Sequence, residues 1–343
     1  MADPLFPTTM PERVTLTQID PTAWEHPADR AALNALRAIP GFDEVVRKVA
    51  GFFGERGIRH LFSGNAVRIG PRQRPKLNGL YEEVLETMDW PVRPDLYVTQ
   101  TAAVNAGAVG FERPFIVINS GTIGLLDREE QRTILGHELG HIMSGHATYR
   151  TIALLLLWLG TNNLPFLAGM AILPIQLALF EWFRKSELSS DRAGLLSGQD
   201  PLVTMNTFFK MAGGVPGKKD EAGQEGEGDA ISLDEYLVQA EEYETGGNAV
   251  DTVFKYLNTA FQTHPFHTVR VAELHRWVRS GEYHRIVGGE YQRRDQQKRP
   301  LGDDFADAAG YYGDRARSVA GQMTDIVKNA RDAFSEAFQK REK

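Results

Sequence analysis

The sequence predicts an α+β fold that is predominantly helical and contains one small sheet. Apolar residues recur at helical spacing over 27–39, 42–53 and 77–88, which indicates that the front of the chain is helical. The runs 95–99 and 115–119, with glycines between them, are typical of strands. A small sheet is therefore expected before the helix that follows residue 126.

That helix is predicted to begin at Asp127 and to run through His146. Asp127 is followed three residues later by Glu130, which is the capping-box arrangement of a helix N-terminus. The acidic first turn also complements the positive end of the helix dipole. The sequence thus predicts one continuous helix over 127–146.

The same helix carries an HExxH pattern formed by His137, Glu138 and His141. Residues four apart on a helix lie about one turn above each other, so the two histidines can present ring nitrogens to one metal while Glu138 points beside it. The pattern indicates a zinc hydrolase with Glu138 as the general base. The alternative is an ordinary helix with two solvated histidines, and a suitable second helix further along the chain argues against it.

Zinc in a catalytic site needs a third protein ligand and an open position for water. Glu187 is the candidate for this ligand, in a helix that continues to Asp191 one turn later. The Asp191 carboxylate is placed to accept the second ring proton of a metal-bound histidine and to fix its tautomer. We therefore expect one Zn²⁺ per chain, held by His137, His141 and Glu187.

These segments, together with Thr263-His264-Pro265 and Arg270, resemble the gluzincin metallopeptidases of the CAAX prenyl endopeptidase and HtpX family. The resemblance covers about residues 95–280 and implies a zincin-like catalytic domain with polypeptide substrates. It implies that His264 supplies a second donor to the oxyanion and that Arg270 supports it. It also implies that Asn105 and Ala106 lie beside an edge strand that takes the substrate as an added strand.

A metzincin site is excluded, because that pattern needs glycine at position 144 and histidine at position 147. This chain has Ser144 and Ala147 there. His146 lies one residue too early to take the metzincin ligand place. It is predicted to be a capping or packing histidine.

The chain is expected to form one catalytic body with appendages. Residues 1–94 are predicted to be an N-terminal tail and helical region, and 95–288 the catalytic domain. Within that domain, the Gly- and Glu-rich stretch 213–230 indicates a flexible acidic loop, either a lid over the cleft or a plain surface loop. Residues 289–343 are predicted to be a charged segment with an amphipathic helix, which packs on the body or adsorbs to a membrane.

The span 151–180 carries no charged side chain, and a turn near Gly160 is predicted to divide it into a hairpin. A lone membrane crossing is excluded, because the zinc-site residues on either side of the span must meet. Two crossings would need about forty apolar residues. Three interpretations remain: a membrane-dipping loop, an oligomer contact, or a pair of buried core helices.

Composition excludes several other classes. A net charge of -7 and a pI near 5.8 give no electrostatic basis for nucleic-acid binding. The absence of cysteine excludes disulfides and thiolate metal sites. The N-terminus lacks a signal-peptide pattern, so a cytoplasmic location is expected, with peripheral membrane attachment through 151–180 as an addition. A different class of protein, a degenerate peptidase that serves as a protein-binding module, is the alternative function.

Overall fold

The computed structural model describes residues 12–159, 172–213, 232–245 and 266–296. Most of these residues are helical, which confirms the predicted fold class. The helices are α1 (Pro27–Arg37), α2 (Phe42–Ser63), α3 (Pro75–Thr87), α4 (Ser120–Leu125), α5 (Arg128–Met143), α6 (His146–Leu159), α7 (Ile172–Gly198), α8 (Pro201–Met211), α9 (Leu233–Thr245), α10 (His267–Arg279) and α11 (Glu282–Val287). A short 3-10 helix over Pro21–Ala23 precedes α1.

One mixed sheet contains the four strands β1 (Ala66–Arg68), β2 (Leu96–Thr99), β3 (Ala106–Val109) and β4 (Phe115–Asn119), in the order β1-β2-β4-β3. β2 and β4 are parallel, and both outer pairs are antiparallel. The two central strands were predicted from the sequence, whereas β1 and β3 were missed. Both are short, and β3 consists of alanine, glycine and valine, a composition without the aromatic and β-branched enrichment of most strands.

The predicted end of the second helix at residue 53 is wrong, because α2 continues to Ser63. Gly54 interrupts the helix with φ +60° and ψ 164°. Glycine adopts positive φ without the steric penalty of other residues. The element is therefore kinked at Gly54 and resumes its helical conformation after it.

The predicted helix over 127–146 is correct at its start and wrong at its end. The capping box is confirmed: Asp127 accepts hydrogen bonds from the backbone N–H of Glu129 and Glu130, and Glu130 accepts one from the backbone N–H of Asp127. α5 ends at Met143 because Gly145 has φ +70°. His146 then begins a separate helix, α6.

Helices α5 and α7 pack closely along their lengths, and small residues make this approach possible. A Cβ added at Gly136 would lie 1.8 Å from Ser197 Oγ, and one added at Gly194 would lie 2.9 Å from the Thr133 carbonyl oxygen. No side chain larger than hydrogen fits at either glycine without displacement of the facing helix. This contact brings the HExxH helix against the helix that carries Glu187.

Two hydrophobic cores flank this helix pair and the sheet, and the N-terminal region contributes to both. The first core joins Leu16, Trp24 and Leu80 to residues of α5, α7, α8 and α10, among them Leu135, Leu139, Leu195, Phe208 and Trp277. The second joins residues of α1, α2 and the sheet to α6 and α7, among them Leu36, Phe42, Phe115, Leu156 and Trp182. The segment 12–94 therefore packs both into the first core, which contains the HExxH helix, and into the second core.

The described parts of the uncharged span 151–180 belong to the second core. Leu155, Leu156, Ile175 and Leu179 are buried there, which confirms the core-helix interpretation for these residues. The tip of the span, 160–171, lies outside the described residues. Among the helices of the described ranges, none has the length and apolar content needed to span a bilayer.

Other predictions also fall outside the described residues. They concern the acidic loop from residue 214 onward, His264, and the amphipathic helix of the C-terminal segment beyond residue 296.

Candidate metal centre

Three buried side chains from α5 and α7 converge on one point. His141 Nε2 lies 3.2 Å from His137 Nε2 and 3.2 Å from Glu187 Oε1. His137 Nε2 lies 3.4 Å from Glu187 Oε2. Among the residues that the structure describes, this is the group of histidine and carboxylate side chains that could hold a metal ion.

The separations fit a tetrahedral metal. Ligand bonds of about 2.0–2.1 Å, as zinc makes to histidine and carboxylate, place neighbouring ligand atoms about 3.3 Å apart. The three measured distances lie close to this value. Two imidazoles and one carboxylate are also the protein ligands of many catalytic zinc sites, which keep a fourth position for water or substrate.

The two histidine rings of the cluster have pKa values shifted in opposite directions. Burial by itself would lower the pKa of His137, but the hydrogen bonds and charges of Asp191 and Glu187 outweigh it and raise the pKa to about 9. For His141, burial and the charge of Arg150 hold the pKa well below its ordinary value, so its ring is neutral. A neutral imidazole is the form that binds metal.

Asp191 and Arg270 surround the outer nitrogen of His137. Asp191 Oδ1 lies 2.9 Å from His137 Nδ1. The Arg270 guanidinium binds both carboxylate oxygens of Asp191, with Nε donating to Oδ2 at 2.9 Å. Although burial opposes it, the charge and hydrogen bonds of Arg270 hold the pKa of Asp191 below its ordinary value. Asp191 is therefore an ionised acceptor facing the His137 ring.

Glu138 lies beside the cluster. Its Oε1 is 3.9 Å from His137 Nε2. The other oxygen, Oε2, is buried and has no hydrogen-bond partner among the described residues. A buried carboxylate oxygen without a partner is costly, so this atom is placed to bind a group that the described residues do not supply.

Arg150 enters the cluster, and sequence reasoning missed it. Its Nη1 contacts both His141 Nε2 and Glu187 Oε1, and its Cζ lies 4.2 Å from the centroid of the Phe183 ring. A cationic group thus already contacts two of the three donor atoms, and a metal bound to those atoms requires the Arg150 side chain to withdraw. The sequence feature that could have indicated Arg150 is its position, because it is the charged residue directly before the uncharged span 151–180.

His146 and Asp29 are the other missed residues. His146 is a buried packing histidine, as expected, but its ring contacts His141 on one side and Asp29 on the other. No sequence pattern connects Asp29 to the HExxH helix, because more than a hundred residues separate them.

The predicted substrate-edge residues lie at one margin of the sheet. Ala106 is the first residue of β3, which pairs with β4 and has no second strand neighbour among the described residues. Asn105 precedes it, exposed to solvent, and its Oδ1 accepts a hydrogen bond from the Ala106 N–H.

Comparison with known proteins identifies the family. The profile of Peptidase family M48 matches residues 71–278, well over half of the chain. The chain belongs to Peptidase family M48. The match begins at residue 71, earlier than the resemblance over 95–280 that the sequence motifs indicated. The M48 assignment confirms that resemblance and the metallopeptidase activity.

Curated relatives agree with the M48 assignment. The plastoglobule-localized metallopeptidase 48, chloroplastic, of Arabidopsis thaliana is 31% identical over 283 residues, covering 82% of this chain and 79% of that protein. A protease HtpX homolog of Moorella thermoacetica is 31% identical over 115 residues, covering 33% and 37%. Another from Pseudarthrobacter chlorophenolicus is 26% identical over 174 residues, covering 45% and 60%. No solved structure matches the chain.

Membership of family M48 makes this chain a metal-dependent protease that acts on polypeptides. The alternative of a degenerate, non-catalytic binding module is not favoured. The match covers 37% and 60% of the lengths of these two HtpX relatives, less than two thirds of each.

Proposed function

We propose that this M48 metallopeptidase is a zinc endopeptidase whose centre is formed by His137, His141 and Glu187. The observation that carries the proposal is the convergence of these three donor atoms at separations of 3.2–3.4 Å, next to the unpartnered Oε2 of Glu138. The bound metal would polarise the peptide carbonyl and lower the pKa of a water molecule to near neutrality.

Glu138 is the general base in this proposal. Its carboxylate takes the proton of the attacking water and passes it to the leaving amine as the peptide bond breaks. The buried, unpartnered Oε2 supports this role because a hydrogen bond to water would satisfy it. A purely structural metal site would have no need for a carboxylate at this position, which also argues against a degenerate peptidase.

Asp191 and Arg270 position His137. Asp191 holds the proton on His137 Nδ1, which leaves Nε2 free to bind the metal. Arg270 binds Asp191 directly, so we assign it to the orientation of this carboxylate. His264, proposed as a second donor to the oxyanion, rests on the family resemblance alone.

Substrate is proposed to bind along the edge of the sheet at Asn105 and Ala106. The unpaired side of β3 can accept an extended peptide as an additional strand, and β3 packs against α5, the HExxH helix. Such binding uses the peptide backbone and tolerates many side chains.

A lipid surface is proposed as the setting of the reaction, with the uncharged tip 160–171 as the contact. The support is the tip's composition and the name of the plastoglobule-localized relative. Co-sedimentation with liposomes should be lost when Leu164, Phe166 and Leu167 are replaced by serine. If a shift toward monomer in sedimentation accompanied unchanged liposome binding, the tip would be an oligomer contact instead.

Metal content and casein cleavage test the proposed function together. The purified chain should contain about one zinc per chain and should cleave casein, and a chelator should abolish cleavage until zinc is restored. A chain that binds zinc without cleaving any of several unfolded proteins would instead be a degenerate peptidase. If the purified chain were fully active with another metal bound, the proposal that zinc is the catalytic metal would be rejected.

A further inference from the structure

The two histidines of the HExxH pattern have different partners on their outer nitrogens. His137 Nδ1 faces the carboxylate of Asp191 directly, at 2.9 Å. His141 Nδ1 faces another ring nitrogen, His146 Nδ1, at 3.1 Å. The second nitrogen of His146, Nε2, lies 3.0 Å from Asp29 Oδ2. His141 is thus connected to a carboxylate through an intervening imidazole.

The Asp29 end of this chain of contacts is an ionised acceptor. Asp29 is 1% exposed and accepts hydrogen bonds from Trp182 Nε1 at 2.9 Å and Ser189 Oγ at 2.6 Å. Both of its oxygens therefore face donors, and hydrogen bonds to the charged form of a carboxyl group favour that form. Because an ionised carboxylate can only accept, His146 Nε2 must carry the hydrogen in this contact.

The hydrogen on His146 Nε2 determines the next contact. A neutral imidazole with its hydrogen on Nε2 has a bare Nδ1, which can only accept. With a neutral His146, a hydrogen bond between the two Nδ1 atoms therefore requires that His141 carry its hydrogen on Nδ1. Its Nε2 is then a lone-pair donor, and this is the atom that points into the metal cluster.

We propose that Asp29 and His146 are positioning residues that fix the tautomer of His141 so that its Nε2 is free to bind the metal. This inference rests on the proposed role of His141 as a ligand. It gives α1, in the N-terminal region, a function in the metal centre. Asp29 of α1 is hydrogen-bonded to Trp182 and Ser189 of α7. It also contacts His146, which in turn contacts His141 of α5. His137 has its carboxylate partner directly, whereas His141 has one through a relay.

The isosteric variant Asp29→Asn tests the relay, because the structure determines how the new amide must point. The Trp182 N–H can only donate, so the amide oxygen stays beside it and the amide NH₂ faces His146. His146 Nε2 must then accept, which moves its hydrogen to Nδ1 and forces His141 Nδ1 to accept. The hydrogen of His141 moves to Nε2, where it opposes metal binding.

Metal affinity is the first measurement, made by competition with a chromophoric chelator for Zn²⁺ and Co²⁺. Asp29→Asn should weaken metal binding by about 10- to 100-fold, as the loss of a group that orients a metal ligand does at other sites. Ser189→Ala is the matched control, since it deletes another hydrogen bond to the same carboxylate without altering the tautomer of His146. The metal affinity of this control should stay within about threefold of the wild-type affinity, a much smaller change than the one expected for Asp29→Asn.

Ring-nitrogen NMR shifts of the zinc-loaded and metal-free chains are the second measurement, and they do not depend on the stability of any variant. In the wild-type chain, His146 should carry hydrogen on Nε2 and His141 on Nδ1. Hydrogen on His146 Nδ1 in the zinc-loaded chain would overturn the relay. So would an Asp29→Asn variant that binds zinc as tightly as wild type. Failure of the wild-type chain to bind zinc would instead reject the proposed function, because the shifts of the metal-free chain report the tautomers separately.

Discussion

Gly140 lies so close to Ala193 that a Cβ at position 140 would be 2.4 Å from the Ala193 Cβ. Gly140 is the residue directly before His141, and Ala193 lies on α7 two residues after Asp191. The contact of these two small residues therefore sets the separation between the histidines of α5 and the carboxylates of α7. The metal centre depends on backbone proximity as much as on its ligands.

Gly140→Ala should destabilise the fold by about 1–3 kcal/mol, because the added methyl group overpacks the contact with Ala193. It should also weaken metal binding, since α5 and α7 must move apart. Urea unfolding of the metal-free chain measures the first effect, and zinc titration measures the second.

Gly79→Ala is the control for this prediction. Gly79 lies within α3, and a Cβ there meets no atom within 4 Å. Alanine should leave stability unchanged or raise it by about 0.4–1 kcal/mol, with unchanged zinc affinity. Equal stabilities of the two variants would show that the close approach at Gly140 does not constrain the helix pair.

Local signals made much of this architecture predictable from the sequence. The capping box at Asp127 identified the start of the HExxH helix, and β-favouring residues identified the two central strands. The helical spacing of His137 and His141 predicted that both would face one point, where the structure places them with Glu187. Each of these features depends on residues within one or two turns of each other.

Features that depend on distant contacts could not be predicted. β3 has no strong strand composition and is a strand because β4 pairs with it. The break between α5 and α6 depends on the left-handed φ of Gly145. Glycine permits this conformation but does not require it, so the sequence alone does not predict the break. Asp29 enters the site because α1 packs on α7, and its contact with His146 has no counterpart in sequence spacing.

Replacement of the proposed general base should separate chemistry from metal binding. Glu138→Gln keeps the shape of the side chain but removes its ability to take a proton, so peptidase activity should fall by about 100- to 10,000-fold. Zinc content should remain at the wild-type level because both histidines and Glu187 are unchanged. Casein cleavage and metal analysis on the same preparation provide both values. Activity within tenfold of wild type, with about one zinc bound, would falsify the assignment.

Two carboxylates of α7 should affect metal binding to different extents. Glu187→Gln replaces a proposed ligand and should lower zinc occupancy more than Asp191→Asn does. Asp191→Asn removes an outer partner of His137, so affinity should fall by about 10- to 100-fold. Equilibrium dialysis against buffered zinc ranks the variants.

The control for this pair is Glu181→Gln, an acidic residue of the same helix that pairs with Arg184 and Lys185. Its zinc affinity should equal that of wild type. Full zinc occupancy in Glu187→Gln would mean that the third ligand is another residue.

Glu25 should make stability depend on pH. Burial and the neighbouring Asp29 raise its pKa from 4.5 to about 7. Between these values the folded chain binds a proton that the unfolded chain releases, so the contribution of Glu25 to stability falls as the pH rises from about 4.5 to about 7.

Glu25→Gln should therefore match wild type near pH 4.5, where both side chains are uncharged in the folded state, and be the more stable chain above about pH 7. Urea unfolding across this range measures the difference, with the exposed Glu112→Gln as a control. A difference between Glu25→Gln and wild type that stays constant with pH would show that Glu25 has the same pKa in the folded and unfolded chains.

Leu156→Asp tests whether α6 is a core helix where it is described. Leu156 is 1% exposed and packs with residues of α2 and α7 in the second core. An aspartate there would bury a charge without a partner, so stability should fall by about 3–5 kcal/mol. Leu61→Asp, at a position 58% exposed on α2, should change stability by no more than about 0.5 kcal/mol. Thermal unfolding of the two variants gives the comparison. A Leu156→Asp chain as stable as wild type would mean that this face of α6 contacts water, lipid or a second protein in solution.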